Sequence, residues 1–225
     1  MNNLKYYNNL WDGKTSGELN PIWSYEDDLT ELSSFLGDKK YDCLELGCGN
    51  GDSYESAQDY YSRYMGLDFS TSNIEIFKTR FPKIELLCHD VVNFIPPRKI
   101  SLIHSNQLLQ YLTKNQIKDL IKWNIQYCSD DGIILHRQIP DKKLMNLYFS
   151  GYLKPNLNSR KMTRIMFPLL YRLYSFYKKI ILSHSDFGYW YSADEILQIC
   201  SELGVDGKIY GSALYRYRFN LLIRL

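Results

Sequence analysis

The stretch CLELGCGNG, residues 43–51, decides the fold of this 225-residue chain. It predicts the end of a buried strand over residues 41–46, then a tight turn, then a helix over residues 52–61. Three glycines at alternate positions let the backbone turn sharply and approach a ligand at points where a side chain would clash. The free N–H groups of the helix would point at whatever the turn holds. The segment therefore predicts a ligand-binding turn at the end of a strand in an α/β fold.

An acid at the end of the first strand indicates which kind of ligand the turn holds. Glu45 stands where a dinucleotide site would have no charge beside a pyrophosphate, and a carboxylate there suits a cation such as an amino acid ammonium group. The spacing also misses the dinucleotide fingerprint, because the position of its third glycine holds Asp52. An NAD-dependent oxidoreductase is therefore disfavoured.

Two further acids follow predicted strands. Asp68 ends a strand over residues 63–67, where an acid of an α/β nucleotide fold accepts hydrogen bonds from both ribose hydroxyls. Phe69 follows and could lie against an adenine ring. Asp90 follows a strand over residues 84–88 and could accept a hydrogen bond from the adenine amino group. Three acids at successive strand ends favour a nucleoside ligand over an ordinary turn whose acids only cap helices.

With these residues the chain resembles the class I S-adenosylmethionine-dependent methyltransferases. The matching stretches are LELGCGNG (44–51), GLDFS (66–70), CHDV (88–91), ISLIHSNQLLQYL (100–112) and DDGIILHRQIP (130–140). The resemblance implies an α/β, Rossmann-like, doubly wound sheet of seven strands, mostly parallel with an antiparallel last strand, and a helical lid insertion. It implies one domain over residues 1–225, with a helical lead-in over 1–36 and the lid insertion over 140–190.

The resemblance also implies S-adenosylmethionine as cofactor, S-adenosylhomocysteine as product, and no metal. The family's cofactor contacts carry over, residue by residue, to Glu45, Gly47, Gly49, Asn50, Asp68, Phe69, Asp90, Val91, Ser105, Asn106 and, in the aromatic lead-in, Trp11. If the acceptor is a hydroxyl, a base must remove its proton. The candidates are His136 at the end of the fifth strand, His104 at the end of the fourth, and Tyr191 after the lid insertion. The alternative for each histidine is a hydrogen-bonded core residue.

Composition narrows the partners. A net charge of +2 argues against general nucleic-acid binding. The five cysteines form no CxxC pair and show no zinc spacing, so we expect reduced core thiols and a cytoplasmic protein. The amino terminus lacks the apolar core of a signal peptide, and no uncharged run is long enough to span a bilayer.

The lid insertion is strongly basic. Residues 140–190 contain nine bases and two acids, a net +7, which leaves −5 for the rest of the chain. This contrast favours an anionic acceptor that is steered electrostatically, while a solvated charged face is an equal alternative. An apolar stripe over residues 165–180 predicts an amphipathic helix. We expect it to pack on the domain, with a lipid surface as the lesser alternative.

The sequence after the fourth strand limits the class of acceptor that we expect. His104 to Gln107 replaces the Asn/Asp-Pro-Pro-aromatic run with which amino-directed methylases hold a planar nitrogen. We therefore expect a hydroxyl, or another heteroatom, of a small anionic acceptor, such as a sugar or a nucleotide- or lipid-linked sugar of surface-glycan biosynthesis. The alternative from another class is a non-catalytic protein that binds S-adenosylmethionine and a partner. The oligomeric state has no signal in the sequence.

Overall fold

A computed structural model describes residues 25–92, 94–149 and 188–225 of the chain. The helices are α1 (Tyr25–Leu36), α2 (Asp52–Ala57), α3 (Thr71–Arg80), α4 (Lys114–Tyr127), α5 (Met145–Phe149) and α6 (Ala193–Glu202). The strands are β1 (Tyr41–Leu46), β2 (Tyr61–Asp68), β3 (Glu85–Cys88), β4 (Ile100–Asn106), β5 (Cys128–Pro140), β6 (Gly207–Gly211) and β7 (Arg218–Arg224). Short 3₁₀ turns lie at Gln58–Tyr60, Leu109–Tyr111 and Lys142–Leu144.

The strands form one seven-stranded sheet in the order β3-β2-β1-β4-β5-β7-β6. The pairs from β3 to β5 are parallel, while β7 runs antiparallel to both of its neighbours. This confirms the predicted α/β sheet with its antiparallel last strand. The order reverses between β1 and β4, and an open α/β sheet places its ligand in the crevice at that switch point.

Two elements differ from their predicted bounds. The predicted helix over residues 52–61 is only α2, and a 3₁₀ turn at Gln58–Tyr60 replaces its last part. The fifth strand does not end at His136 as expected: β5 begins at Cys128 and continues past a register shift between His136 and Ile139 to reach Pro140, thirteen residues in all. The lead-in before α1 and most of the lid insertion lie outside the described residues. Within the described ranges, no helix is long and apolar enough to cross a membrane.

Alternation along the strands divides the core into two layers. One layer packs α4 and α6 on the sheet through residues such as Leu46, Ile103 and Ile134. The other packs α1, α2 and α3 on the opposite face through residues such as Phe77 and Leu102. Helix α6 begins with a capping box: the Ser192 hydroxyl accepts from Glu195 N, and the Glu195 carboxylate accepts from Ser192 N.

A fully buried arginine attaches α1 to the sheet. Arg137, on β5, donates through Nη2 to Asp28 Oδ1 at 2.8 Å, and its Nη1 lies 3.6 Å from Glu31 Oε2. Both acids belong to α1 and are buried. The guanidinium also donates through Nε to His104 Nε2 at 3.0 Å. Because a buried charge must be paired, this cluster fixes where α1 lies beneath the switch point.

Candidate active site

A cleft opens at the switch point, where the carboxyl ends of β1, β2 and β4 meet. Its lining comes from the glycine turn, the start of α2, the end of β2 with α3, and the segment after β4. The residues are Glu45, Gly47, Cys48, Gly49, Asn50, Asp52, Ser53, Asp68, Phe69, Asn73, Asn106, Gln107, Leu108 and Tyr111. Seven of the eleven predicted cofactor residues are among them, so the structure brings most of the expected site together.

The glycine turn is held by the neighbouring strand. The N–H groups of Gly47 and Cys48 both donate to Leu67 O, at 2.7 and 2.9 Å. Gly47 has φ +73°, and a Cβ on it would lie 3.2 Å from Leu108 Cδ1. Gly51 has φ +90°, and a Cβ there would lie 2.7 Å from the Phe77 ring. Both positions therefore require glycine, for conformation and for space.

Asp68 is a buried carboxylate whose oxygens accept hydrogen bonds from neighbouring residues. It is 6% exposed, accepts from Gly49 N through Oδ2 and from Ser70 N through Oδ1, both at 2.9 Å. Burial raises the pKa of Asp68, and these backbone N–H groups oppose that rise. The Asn73 side chain and Phe69 N also donate to Asp68. Because this carboxylate lines the cleft, its oxygens can also accept from hydroxyls of a ligand there. This arrangement suits a ligand that presents two neighbouring hydroxyls.

Glu45 forms the floor of the cleft and is 1% exposed. Its Oε2 accepts from Tyr64 Oη at 2.5 Å, and its Oε1 lies 3.8 Å from His104 Nδ1. Burial raises the pKa of Glu45 to about 7, against hydrogen bonds from Tyr64 and Ser53 and the attraction of Arg137. That guanidinium is already committed to the acids of α1. A cation in the cleft would therefore stabilise the ionised Glu45.

Two amide oxygens in the cleft are unused. The Oδ1 atoms of Asn73 and Asn106 are buried and accept no hydrogen bond from the described residues. A buried acceptor without a donor costs free energy, so each is expected to find one in the functional state. A ligand with N–H or O–H groups in the cleft would provide it. Asn106 ends β4, two residues after His104, which is the register partner of Glu45 on β1.

The structure places His136 and Ser105 in the core and not in the cleft lining. These two residues are register partners on β4 and β5 and face the layer of α4. His136 is fully buried, with Nδ1 2.7 Å from Ser105 Oγ and Nε2 2.8 Å from Asn124 Nδ2. Burial lowers the pKa of His136 to about 4. This place favours a hydrogen-bonded core group over a base, and Ser105 is not among the residues that line the cleft.

The other two predicted bases are also committed elsewhere. His104 is fully buried behind Glu45, and burial and the charge of Arg137 lower its pKa well below the usual value. Its Nε2 accepts from Arg137, so it is a neutral link between two charged groups. Tyr191 donates its hydroxyl proton to Leu112 O, and burial raises its pKa. Both groups are hydrogen-bonded within the protein, and neither is among the residues that line the cleft.

Three predicted cofactor residues lie outside the cleft lining or outside the described chain. Asp90 is exposed, and its Oδ1 accepts from Val92 N at 3.1 Å, so it closes a turn after β3. Val91 is buried in the core layer of α4. Trp11 lies outside the described residues. The predicted adenine contact of Asp90 is therefore not formed by the described arrangement.

The segment after β4 contributes lining residues that we did not single out. Gln107, Leu108 and Tyr111 follow Asn106 along one wall of the cleft. Gln107 has φ +59°, and its N–H donates to Arg137 O, which turns the chain back over the cleft. These residues lie within the QLLQYL part of the stretch at 100–112, which matched the family. The resemblance to the family therefore indicated this segment, but it did not indicate that these three residues line the cleft.

Comparison with known proteins agrees with this geometry. Residues 43–132 match the family model described as a methyltransferase domain. Phosphoethanolamine N-methyltransferase 3 of Arabidopsis thaliana is 31% identical over 102 residues, covering 42% of this chain and 21% of that protein. Trans-aconitate 2-methyltransferase of Rhizobium rhizogenes is 27% identical over 101 residues, covering 44% and 38%. The chain thus matches well under half of the length of these curated relatives.

Solved methyltransferase structures share the fold of the described residues. An S-adenosylmethionine-dependent methyltransferase from Clostridium acetobutylicum has a TM-score of 0.65 at 12% identity, covering 99% of this chain and 98% of its own. DhpI in complex with SAH has a TM-score of 0.66 at 13% identity, covering 98% and 94%. At such low identities the likeness concerns the fold alone.

Proposed function

We propose that the protein is an S-adenosylmethionine-dependent methyltransferase that acts on a small anionic molecule. The match of residues 43–132 to a methyltransferase domain and the fold shared with solved methyltransferases support this proposal. The observation that carries the proposal is the set of unused hydrogen-bonding positions in the cleft. The oxygens of Asn73 and Asn106 lack donors among the described residues, and the buried carboxylate of Asp68 lines the same cleft.

The cleft residues fit S-adenosylmethionine part by part. Asp68 would accept from the two ribose hydroxyls, and Phe69 would lie against the adenine ring. Asn106 Oδ1 would accept from the ammonium group, whose charge would be balanced by Glu45. S-adenosylmethionine, when bound, supplies an activated methyl group. The chain itself has to hold the acceptor in line with that group and exclude water, which is catalysis by positioning.

No general base remains among the described lining residues once Glu45 and Asp68 are assigned to the cofactor. No histidine is among the described lining residues, and Asp52 is paired with Arg80 at 2.8 Å. We therefore propose that the reacting atom of the acceptor needs little help with its proton. A carboxylate oxygen meets that condition, since it is already ionised at neutral pH. The names of the relatives that act on trans-aconitate and on malonyl-[acyl-carrier protein] favour this acceptor class.

A hydroxyl of a sugar, or of a nucleotide- or lipid-linked sugar of surface-glycan biosynthesis, remains the prediction from the sequence. The basic lid insertion supports an anionic acceptor of either kind. The two acceptors differ in pH dependence. A carboxylate acceptor should give a rate that stays level from pH 6 to 8, whereas a hydroxyl whose proton must leave should react faster as the pH rises.

The experiment measures S-adenosylhomocysteine released from S-adenosylmethionine in the presence of carboxylate, phosphate and sugar acceptors. We expect release with at least one anionic acceptor and none in its absence. Tight binding of S-adenosylmethionine with no release across the whole panel would instead support the non-catalytic binding protein. Asp68→Asn, which should lower cofactor affinity, serves as the negative control.

A further inference from the structure

We propose that Arg218 binds the anionic group of the methyl acceptor. The inference rests on the proposed function and deepens it by assigning the recognised group to a place in the fold. Arg218 begins β7 and is the register partner of Pro140, the last residue of β5. Because β7 runs antiparallel, its first residue lies at the same sheet edge as the cleft, on the side beyond β4.

The guanidinium of Arg218 is held by neutral groups. Its Nη1 donates to Gln138 O at 2.5 Å and its Nη2 donates to Gln110 Oε1 at 3.2 Å. Its Nε is buried and has no acceptor among the described residues. None of the ion pairs formed within the described ranges includes Arg218. A partly buried guanidinium with spare N–H groups is suited to a carboxylate or phosphate, which it can bind in a bidentate manner.

Glu31, a buried acid of α1, has partners other than Arg218. Glu31 accepts from Gln138 Nε2 at 2.6 Å and from Ala213 N at 2.8 Å, and it lies 3.6 Å from Arg137 Nη1. Its charge is therefore paired with Arg137 rather than with Arg218. The positive charge of Arg218 remains available to a ligand.

Aromatic rings orient Arg218 and provide a surface beside it. The guanidinium carbon lies 5.5 Å from the ring centre of Tyr215 and 5.2 Å from that of Tyr217. The Tyr217 ring packs in turn against Tyr148 at 4.6 Å and Trp190 at 6.0 Å, both of which are partly exposed. An acceptor whose anionic group meets Arg218 could rest its apolar part on these rings.

The position also connects to the cleft. Gln110, which accepts from Arg218, precedes Tyr111 in the 3₁₀ turn, and Tyr111 lines the cleft. An acceptor held by Arg218 would therefore extend past this turn toward the end of β4, where the methyl group is expected. Arg218 would then set the orientation of the acceptor without contacting the reacting atom.

The first test is a direct measurement of anion binding. The protein loaded with S-adenosylhomocysteine is titrated with malonate or with inorganic phosphate at constant ionic strength, while the arginine N–H resonances are followed by NMR. Arg218→Met identifies the Arg218 signal. We expect a saturable shift of that signal, and its preference for malonate or phosphate distinguishes the two anion types. A shift no different from that caused by chloride with both anions would overturn the proposal.

The second test separates recognition from chemistry. With an anionic acceptor found by the S-adenosylhomocysteine assay, Arg218→Met should lower kcat/KM about 10- to 100-fold through KM, with kcat nearly unchanged. Arg218→Lys should give a kcat/KM between those of the wild type and Arg218→Met, because lysine keeps the positive charge but cannot bind the anion in a bidentate manner. Arg216→Met, an exposed neighbour, is the matched control. The proposal would be overturned if Arg218→Met lowered kcat/KM equally for the acidic acceptor and for its uncharged amide. It would also be overturned if the acceptor proved to be neutral. Failure of the proposed function itself would show separately, as absence of S-adenosylmethionine binding.

Discussion

At the scale of single residues, the site depends on two buried carboxylates with different surroundings. Asp68 is stabilised as an anion by backbone N–H groups and by the Asn73 side chain, and it lines the cleft. Glu45 receives its shortest hydrogen bond from a neutral phenol, and the guanidinium nearest to it is paired with other acids. Asp68 is therefore suited to binding hydroxyls, while Glu45 is suited to responding to a cation.

Asp68→Asn should weaken S-adenosylmethionine binding about 10- to 100-fold. The amide can accept through only one of its two positions, so at least one charge-assisted hydrogen bond to the ribose is lost. Calorimetry measures the affinity. The control is Asp90→Asn, which we expect to change affinity less than about threefold because Asp90 is exposed and outside the cleft lining. Equal losses in both variants would restore Asp90 as an adenine contact.

Glu45→Gln should change how stability depends on pH. Burial raises the pKa of Glu45 to about 7, so between pH 4.5 and 7 the folded protein holds a proton that the unfolded chain has released. Stability from this group is present below pH 4.5 and is lost as the pH rises through 7. The unfolding free energy of the wild type, minus that of the variant, should fall by about 3 kcal/mol across this window. Denaturant melts at several pH values measure it, and a constant difference would refute the shifted pKa.

At the scale of elements, the two faces of β5 contact different helices. Arg137 faces α1 and pairs with its acids, while His136 faces α4 and joins Ser105 to Asn124. The extension of β5 beyond the register shift then brings Gln138 and Pro140 beside the start of β7. This strand therefore links the cofactor cleft, the helix beneath it and the proposed acceptor site.

Arg137→Met should destabilise the protein by about 3–5 kcal/mol, because it leaves Asp28 and Glu31 as buried charges without their cation. Adding Asp28→Asn should recover part of that loss. Chemical denaturation is the measurement. The control, Arg98→Met, breaks a half-exposed pair with Asp42 and should cost about 1 kcal/mol or less. Similar costs for the two arginines would show that the buried cluster does not hold α1 in place.

His136→Gln should lower stability and leave methyl transfer intact. The substitution disturbs two buried hydrogen bonds, which corresponds to about 1–3 kcal/mol. Single-turnover rates across pH and thermal melts together separate the two effects. His89→Gln, on an exposed residue, is the control for the substitution itself. A folded variant that had lost about 100-fold or more in rate would reinstate His136 as a base.

The sequence predicted the elements well and the facing of β5 poorly, for a physical reason. In β1 and β2, a glycine turn and a terminal acid mark the strand end and the ligand side together. In β5, residues 132–140 are buried on both faces of the sheet. No alternation of polar and apolar residues therefore shows which of His136 and Arg137 faces α1 and which faces α4. The register shift near Gln138 depends on its tertiary contacts with Asn220 and Glu31, which local sequence does not reveal.

At the scale of the whole molecule, the switch point of the sheet determines where the site lies. The two core layers close the faces of the sheet, so the edge where β1, β2 and β4 end presents the cleft. Arg218 at the start of β7 extends this edge toward the acceptor side. The seven-stranded order and the glycine turn together account for a nucleoside-containing cofactor at the centre and an acceptor beside it.

The most direct test of the account is the thermal shift of the protein with S-adenosylmethionine against NAD, each at matched concentration. We predict stabilisation by S-adenosylmethionine alone, which at a hundred times its Kd corresponds to about 2.7 kcal/mol. Asp68→Asn should reduce that shift at the same concentration. A shift with NAD and none with S-adenosylmethionine would contradict the account.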